Sequence, residues 1–411
     1  MRVQKPIRRL PLWLKIVRGI CLVVLFALCL CVAIIIFWPE VAAQNIDRLR
    51  DVIGDAPVAQ LETAMLSVQD WVQNVEYQLG LRKPAAPWGG SPANPVATQS
   101  APPLKPGIGA TATPANLHVW QPEPLTPFGK LTGEGQWLPY LRAADGRTTV
   151  AYRTFLEPDP RRPYSVIALV AFDLQATRLH FVLGAVEPIP AKPQPSRTGT
   201  IPASDLQPST LLATFNGGFK ARHGHFGAMA DGLVALPPIN GLATIAVFAD
   251  GHLQMGEWGT DIMASSDLVA WRQNGKLLIH RSQITPETAQ VNELWGSTIQ
   301  GDSITWRSAL GLSADGRTLY YAAGEQTDVV NLAKAMARAG TGEALELDVN
   351  NYWVHFAAIL WTGTTLNAEP LLDGMNQDVG RYLKSSARDF FYVSTTPPDS
   401  PRVCPADFPN C

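Results

Sequence analysis

Ser308-Ala-Leu-Gly-Leu-Ser313-Ala-Asp315-Gly316-Arg-Thr-Leu319-Tyr-Tyr-Ala-Ala323 reads as two short β-rich runs joined through Asp-Gly. Glycine after Asp supplies the positive φ that a tight hairpin needs, so the stretch predicts strand, turn, strand. The same punctuation recurs outward from it. Further strands are expected at Thr148 to Phe155, Ser165 to Phe172, Arg178 to Gly184, Leu211 to Phe215, Ala243 to Phe248, Ala344 to Leu347 and Phe390 to Val393, with turns at Asp145-Gly146, Asp250-Gly251 and Asn274-Gly275. One helix interrupts them, Val329 to Ala339, with Leu332, Ala335, Met336 and Ala339 on one side and Gly340 to close it. The implied fold class is α+β: a β-dominated, mixed, single domain over residues 115–400.

The front of the chain is of another kind. Between Gly19 and Trp38 no side chain is charged, and about 20 apolar residues suffice to cross a bilayer as a helix. Arg2, Lys5, Arg8, Arg9, Lys15 and Arg18 precede this run, and Glu40, Asp47 and Asp51 follow it. The positive-inside bias then predicts a basic cytoplasmic tail over 1–18, a single transmembrane helix over 19–38 and an extracytoplasmic remainder, with the lipid bilayer as a partner. Val41-Ala42-Ala43 also fits a signal-peptide cleavage site, but the apolar run exceeds the usual signal-peptide core. Either reading exports the rest of the chain.

Residues 44–82 read as a helical stalk. Val58, Leu61, Met65, Val68, Val72, Val75 and Leu79 alternate by three and four, the a/d rhythm of a short coiled coil that could pair two chains. A helix lying on the globular domain or on lipid fits the same spacing. Residues 83–114 are rich in Pro, Ala, Gly, Ser and Thr and read as a disordered spacer. Residues 401–411 form a tail whose Cys404 and Cys411 suit a short-loop disulfide in an oxidising compartment, whereas Cys21, Cys29 and Cys31 sit inside the apolar run.

The formal charge of -2 provides no concentrated basic face, which argues against a nucleic-acid partner. No phosphate loop, Gly-x-Ser-x-Gly elbow or His-Glu-x-x-His is present, so nucleotide hydrolysis, hydride transfer and common zinc-protease chemistry lose their support, and no cofactor is called for. His223 and His225 lack a further spaced ligand and read as a loop pair rather than a metal site. Trp258, Trp271, Trp295 and Trp306 suit either sugar stacking or core packing.

Three segments carry candidate chemistry. In Ala213-Thr-Phe-Asn216-Gly217-Gly218-Phe219-Lys220 a strand runs into an amide and two glycines, whose backbone N–H groups can face an anion. In Ser303-Ile-Thr-Trp-Arg307-Ser308-Ala-Leu-Gly311 a guanidinium precedes a strand. In Glu346-Leu-Asp348-Val-Asn350-Asn351-Tyr-Trp-Val-His355 two carboxylates share a strand face, followed by two amides.

In this order and spacing the three resemble the phosphodiester glycosidase family, whose domains are like that of N-acetylglucosamine-1-phosphodiester alpha-N-acetylglucosaminidase. That family's pattern is Asn-Gly-Gly-Phe-Phe, then Arg-Thr-Ala-x-Gly with an Asp-Gly hairpin, then a helix and Leu-Asp-Gly-Gly-Gly-Ser. The matching stretches here are Asn216 to Phe219, Arg307 to Gly311 with Asp315-Gly316, the helix after Asp328, and Leu347-Asp348. Val349, Asn350, Asn351 and Tyr352 stand in place of the glycine run and serine, and Lys220 in place of the second Phe. The resemblance implies cleavage of a sugar-1-phosphodiester of an envelope or exported glycan. Arg307 would clamp the phosphate, and Asn216, Gly217, Gly218, Lys220, His223, Asn350 and Asn351 would line the substrate. Asp348 would stabilise an oxocarbenium ion or activate water, with Glu346 as second carboxylate. The alternative is an inactive carbohydrate-binding or scaffold domain.

Overall fold

The computed structural model describes residues 48–88, 120–208, 210–290, 295, 302–375 and 378–396. The apolar run Gly19–Trp38 and the pair Cys404 and Cys411 lie outside the described residues, among which no helix is long and apolar enough to cross a membrane. The chain divides into two compact units, Met1–Val58 and Ala59–Cys411. Every strand among the described residues belongs to the second unit.

The centre of that unit is an eight-stranded antiparallel sheet in the order β1 (Leu138–Arg142), β2 (Thr149–Leu156), β3 (Ile167–Asp173), β14 (Thr318–Thr327), β13 (Thr305–Ser313), β15 (Thr341–Val349), β11 (Leu277–His280) and β12 (Gln283–Ile284). The Asp315-Gly316 turn joins β13 to β14, with Gly316 at φ 71°. A five-stranded sheet runs β7 (Leu233–Leu236), β6 (Ala228–Ala230), β10 (Leu268–Gln273), β8 (Ala243–Phe248), β9 (Leu253–Glu257). The other runs β17 (Thr365–Pro370), β16 (Phe356–Thr362), β5 (Leu211–Asn216), β18 (Phe390–Thr395), β4 (Thr177–Val182).

The large sheet is covered on both faces. Val170, Phe172, Leu310 and Leu345 pack with Phe215 and Phe391 of the β5 sheet and with Ile245 and Met255 of the β8 sheet. The opposite face packs Leu169, Ala309 and Ala322 against Val329, Leu332, Ala335 and Met336 of one helix. Burial on both faces is why β3 is a continuous apolar run instead of an alternating one. That helix, Val329–Ala339, is N-capped by Asp328, which accepts from the Asn331 amide, and ends at Gly340 with φ 87°. It lies close enough to the sheet that a Cβ on Gly311 would meet Met336 Cε at 2.5 Å, so this motif glycine serves packing.

Asp55–Gln78 is a helix, α1 (the capped helix is α2), and from Ala59 onward one side of it lies on the domain. Arg162 donates to both Asp70 carboxylate oxygens at 2.6 Å and to Asp159 at 2.8 Å, and the Tyr77 and Tyr164 rings meet at 5.3 Å. Leu66 packs on Phe219, Phe226 and Val349. Of the expected spacer, residues 83–88 are described, and they are not free chain: the Trp88 indole donates to Leu371 O at 3.0 Å beneath the Arg153 guanidinium. A single Trp offers enough apolar area to order a Pro-rich segment locally.

Removing one partner of a largely buried ion pair costs several kcal/mol. Arg162→Met should therefore loosen α1, so that limited proteolysis between Ala59 and Gln78 accelerates about tenfold or more. An unchanged cleavage rate would show that the pair does not hold the helix.

Candidate functional site

The ends of β5, β13, β15 and β18 meet at one place. Asn216, the last residue of β5, is buried, and its carboxamide is saturated: Nδ2 donates to Ser308 Oγ at 3.0 Å and Gly217 O at 3.1 Å, while Oδ1 accepts from Tyr321 OH and the His355 amide, both at 3.1 Å. Ser308 Oγ in turn donates to the Asp348 carbonyl at 2.9 Å. The β13–β15 register slips between Arg307–Val349 and Ala309–Glu346, a bulge that turns Asp348 out of the ladder pattern.

The guanidinium that meets the Asp348 carboxylate belongs to Arg388. Its Nη2 donates to Asp348 Oδ2 at 2.5 Å and to Gly218 O at 2.8 Å. Arg388 and Asp389 immediately precede β18, whose Phe390 pairs with Asn216, so the register sets them beside Gly217 and Gly218. The Gly217 amide donates to Asp389 O, and the Gly218 amide to Asp389 Oδ2 at 3.3 Å. Arg272, in β10, donates to the same Oδ2 at 2.7 Å and to Phe219 O at 2.6 Å. A Cβ on Gly217 would fall 2.4 Å from Asp389 Oδ2, and one on Gly218 2.9 Å from the Arg272 guanidinium. The glycine pair thus admits these charged side chains, and both its amides are engaged within the protein.

Past β15, Asn350 adopts φ 76° and its Oδ1 accepts from the Tyr352 and Trp353 amides, an Asx turn. The turn lays the half-buried Trp353 ring 4.3 Å from Arg388 Cζ and 5.0 Å from Lys220 Nζ. Nε and Nη1 of Arg388 and Oδ1 of Asp389 are buried and have no hydrogen-bond partner among the described residues.

Burial pushes the Asp348 carboxyl above the usual aspartate range, against the pull of Arg388 and the Val349 amide. Burial alone would lower Arg388, but Asp348, Asp389 and Glu187 hold it above the ordinary arginine value. The guanidinium therefore keeps its charge while the carboxylate becomes more basic.

Arg307 and Glu346 form a separate pair. Arg307 is fully buried, and its Nη1 donates to Glu346 Oε1 at 2.6 Å. Burial raises Glu346 to about 7 against the attraction of Arg307. Neither Arg307 nor Asn216 has the exposure expected of a phosphate clamp or a sugar contact. His223 ends a single 3-10 turn, Ala221–His223, and Asn351 is exposed at the rim. The four tryptophans considered for stacking, Trp258, Trp271, Trp295 and Trp306, are buried in the core. Among the described residues no group of three or more His, Cys, Asp or Glu side chains could hold a metal.

Arg388, Asp389, Arg272 and Trp353 escaped the sequence reading. The available signal was a charge inside an apolar strand, Arg272 in Leu-Val-Ala-Trp-Arg-Gln, and an Arg-Asp pair directly before Phe-Phe-Tyr-Val. Asn274-Gly275 was expected as a turn. Asn274-Gly275 lies in the short bend between β10 and β11, and the Asn274 side chain bonds inward, accepting from the Phe219 amide at 3.2 Å and donating to Glu346 O and Leu347 O.

No family model matches the chain, and no curated protein matches it. Among solved structures the likeness is weak. The catalytic domain of zebrafish N-acetylglucosamine-1-phosphodiester alpha-N-acetylglucosaminidase, auto-inhibited by its pro-peptide, aligns with a TM-score of 0.40 and 14% identity over 62% of this chain and 87% of that one. A hypothetical protein from Synechocystis aligns at 0.32 and 13% over 56% and 59%, so this chain spans less than two thirds of it. A putative exported protein of Burkholderia pseudomallei aligns at 0.26 and 11% over 57% and 74%.

His355 supplies a test of the packing around the site. It is buried, Nε2 lies 3.0 Å from Val379 O, and burial followed by Arg381 pushes its pKa down to about 3. A depressed histidine is neutral in the native state and charged in the unfolded one, so stability falls as pH drops from 6.5 toward 3, by about 1.4 kcal/mol per pH unit. His355→Gln should flatten unfolding free energy measured between pH 6.5 and 5 by that slope; an unaltered slope would contradict it.

Proposed function

We propose that this chain is a membrane-anchored, extracytoplasmic hydrolase of phosphodiester-linked sugars, with Asp348 as its reacting carboxylate and Arg388 as its phosphate clamp. The observation that carries the reading is Arg388 itself: a buried guanidinium bonded to Asp348, with two further nitrogens that no described residue satisfies. A buried donor without a partner is costly unless a ligand fills it, and a planar guanidinium suits a phosphate oxygen. Lys220 adds a second positive charge against the Trp353 ring, its Nζ 5.0 Å from the ring centroid. Water adds to the anomeric carbon as the bond from that carbon to the phosphate oxygen breaks. The phosphomonoester leaves with the bonding electrons, and Asp348 takes the proton from water. A phosphate leaving group needs little acid assistance, so one basic carboxylate suffices.

The motif order in Asn216 to Phe219, Arg307 to Gly311 and Leu347-Asp348 supports the substrate class. Export is supported by the charge asymmetry around Gly19–Trp38. A second reading, a carbohydrate-binding domain without turnover, is favoured by the Trp353 ring lying over Arg388, directly after the Val349 to Tyr352 stretch that stands in place of the family's glycine run and serine.

With the purified full chain and a sugar-1-phosphodiester, Asp348→Asn should lower kcat at least about a hundredfold with the fold intact. Wild-type kcat/KM should fall on acidification through a pKa above the ordinary aspartate value, since the carboxylate must be ionised. Binding with no turnover in the wild type would establish the second reading.

A further inference from the structure

The helix α1 has two faces, and the domain uses one. Leu66, Asp70, Gln73 and Tyr77 are half-buried or buried toward the domain, through the Arg162 pair, the Tyr164 ring and the Phe219 cluster. Of the a/d positions, Val58 and Val75 are buried and half-buried, while Leu61, Met65, Val68, Val72 and Leu79 point, at 100° per residue, about 110° to 170° away from that face. They are exposed: Leu61 by 52%, Val68 by 61% and Leu79 by 69%, with Trp71 beside them at 65%. An isolated exposed Leu is ordinary, but four large apolar side chains along a helix already held by its other face, continued by Leu79 in the turn directly after it, form a seam.

We infer that this seam pairs with the same seam of a second copy, as a short parallel two-stranded coiled coil that leaves each domain docked on the outside of its own helix. This inference does not depend on the chemistry assigned to Asp348 and Arg388.

Three observations select this occupant. The seam follows the alternating three-four spacing of a coiled coil, narrower than the broad apolar face of a lipid-bound helix. From Ala59 to Gln78 the helix carries Glu62, Asp70 and Glu76 and no Lys or Arg, whereas helices that lie on membranes carry basic flanks that meet anionic headgroups. The charges also set the direction. Glu62, Gln69 and Glu76 occupy one flank and Ala64, Trp71 and Gln78 the other. An antiparallel pair would oppose Glu62 to the partner's Glu76 at both ends, while a parallel pair sets each Glu flank against Ala, Trp and Gln.

Parallel pairing also suits two chains whose amino-terminal apolar runs sit in one bilayer, where tethering raises the local concentration. About three heptads are marginal for free peptides, because each helix must be ordered on association. Here α1 is already ordered by the domain, which removes most of that cost.

The test uses the full chain in detergent micelles, with its five native cysteines replaced by serine. Leu61→Cys chains should cross-link to one another through a short bis-maleimide, Leu79→Cys chains likewise, and Ser67→Cys chains should not. Val68→Glu with Val72→Glu, both at exposed positions, should lower the light-scattering mass from dimer to monomer. A monomeric wild type, a dimer that survives the double substitution, or cross-linking only between Leu61→Cys and Leu79→Cys chains would overturn the inference. So would a blue shift of tryptophan emission on adding zwitterionic lipid vesicles that is absent in Trp71→Phe and comes without any cross-linking, which would give the face to lipid.

Discussion

One carboxamide ties the eight-stranded sheet to the β5 sheet. Asn216 ends β5 in one sheet, accepts from Tyr321 on β14 of the other and from the amide just before β16, and donates to Ser308 on β13. All of its polar atoms are used in a place where water cannot replace them, so the arrangement is nearly all-or-none. Through Ser308 the same network reaches the Asp348 backbone, so the position of the Asp348 carboxylate is set by the junction between sheets rather than by a loop. Building the site on strand ends in this way gives it the precision of the scaffold.

Around this junction lie two buried ion pairs with different characters. Arg307–Glu346 is enclosed beside Trp295, and Arg307 also donates to the Trp295 and Ser303 carbonyls. Arg388–Asp348 sits under a half-buried indole with donor capacity left over. A pair sealed on all sides is a structural element whose removal leaves an uncompensated charge. A pair with unfilled donors near the surface is where an incoming anion gains most. Glu346 Oε2 also lacks a hydrogen-bond partner among the described residues, so what sets Arg388 apart is the half-buried Trp353 over it and Lys220 nearby, the basis on which we propose it as the anion site.

Much of the fold was legible in the residues. β8 and α2 fall at the expected limits, because Ala-Thr-Ile-Ala-Val-Phe is bounded by turns and α2 has both an Asp cap and a terminal glycine. β1, β6, β7, β9, β10, β11, β12, β16 and β17 went unread. Their sequences, such as Ala-Met-Ala and Thr-Leu-Asn-Ala-Glu-Pro, have too little β-branching or alternation to stand apart from loops, and only pairing with distant strands makes them strands. At the site, Asn216, Lys220 and Asp348 stood out in the chain as strand-end residues beside glycines or amides, and the convergence of β5 and β15 gathers them. Which of Arg272, Arg307 and Arg388 meets which carboxylate was not legible, because that depends on register across three sheets.

The most direct measurement is calorimetric titration of the full chain with inorganic phosphate near pH 7, beside Arg388→Gln and Glu346→Gln. The account predicts phosphate binding in the wild type, loss of at least about tenfold in affinity in Arg388→Gln, and affinity within about twofold of wild type in Glu346→Gln. Retained affinity in Arg388→Gln together with loss in Glu346→Gln would place the anion at the Arg307 pair and contradict it.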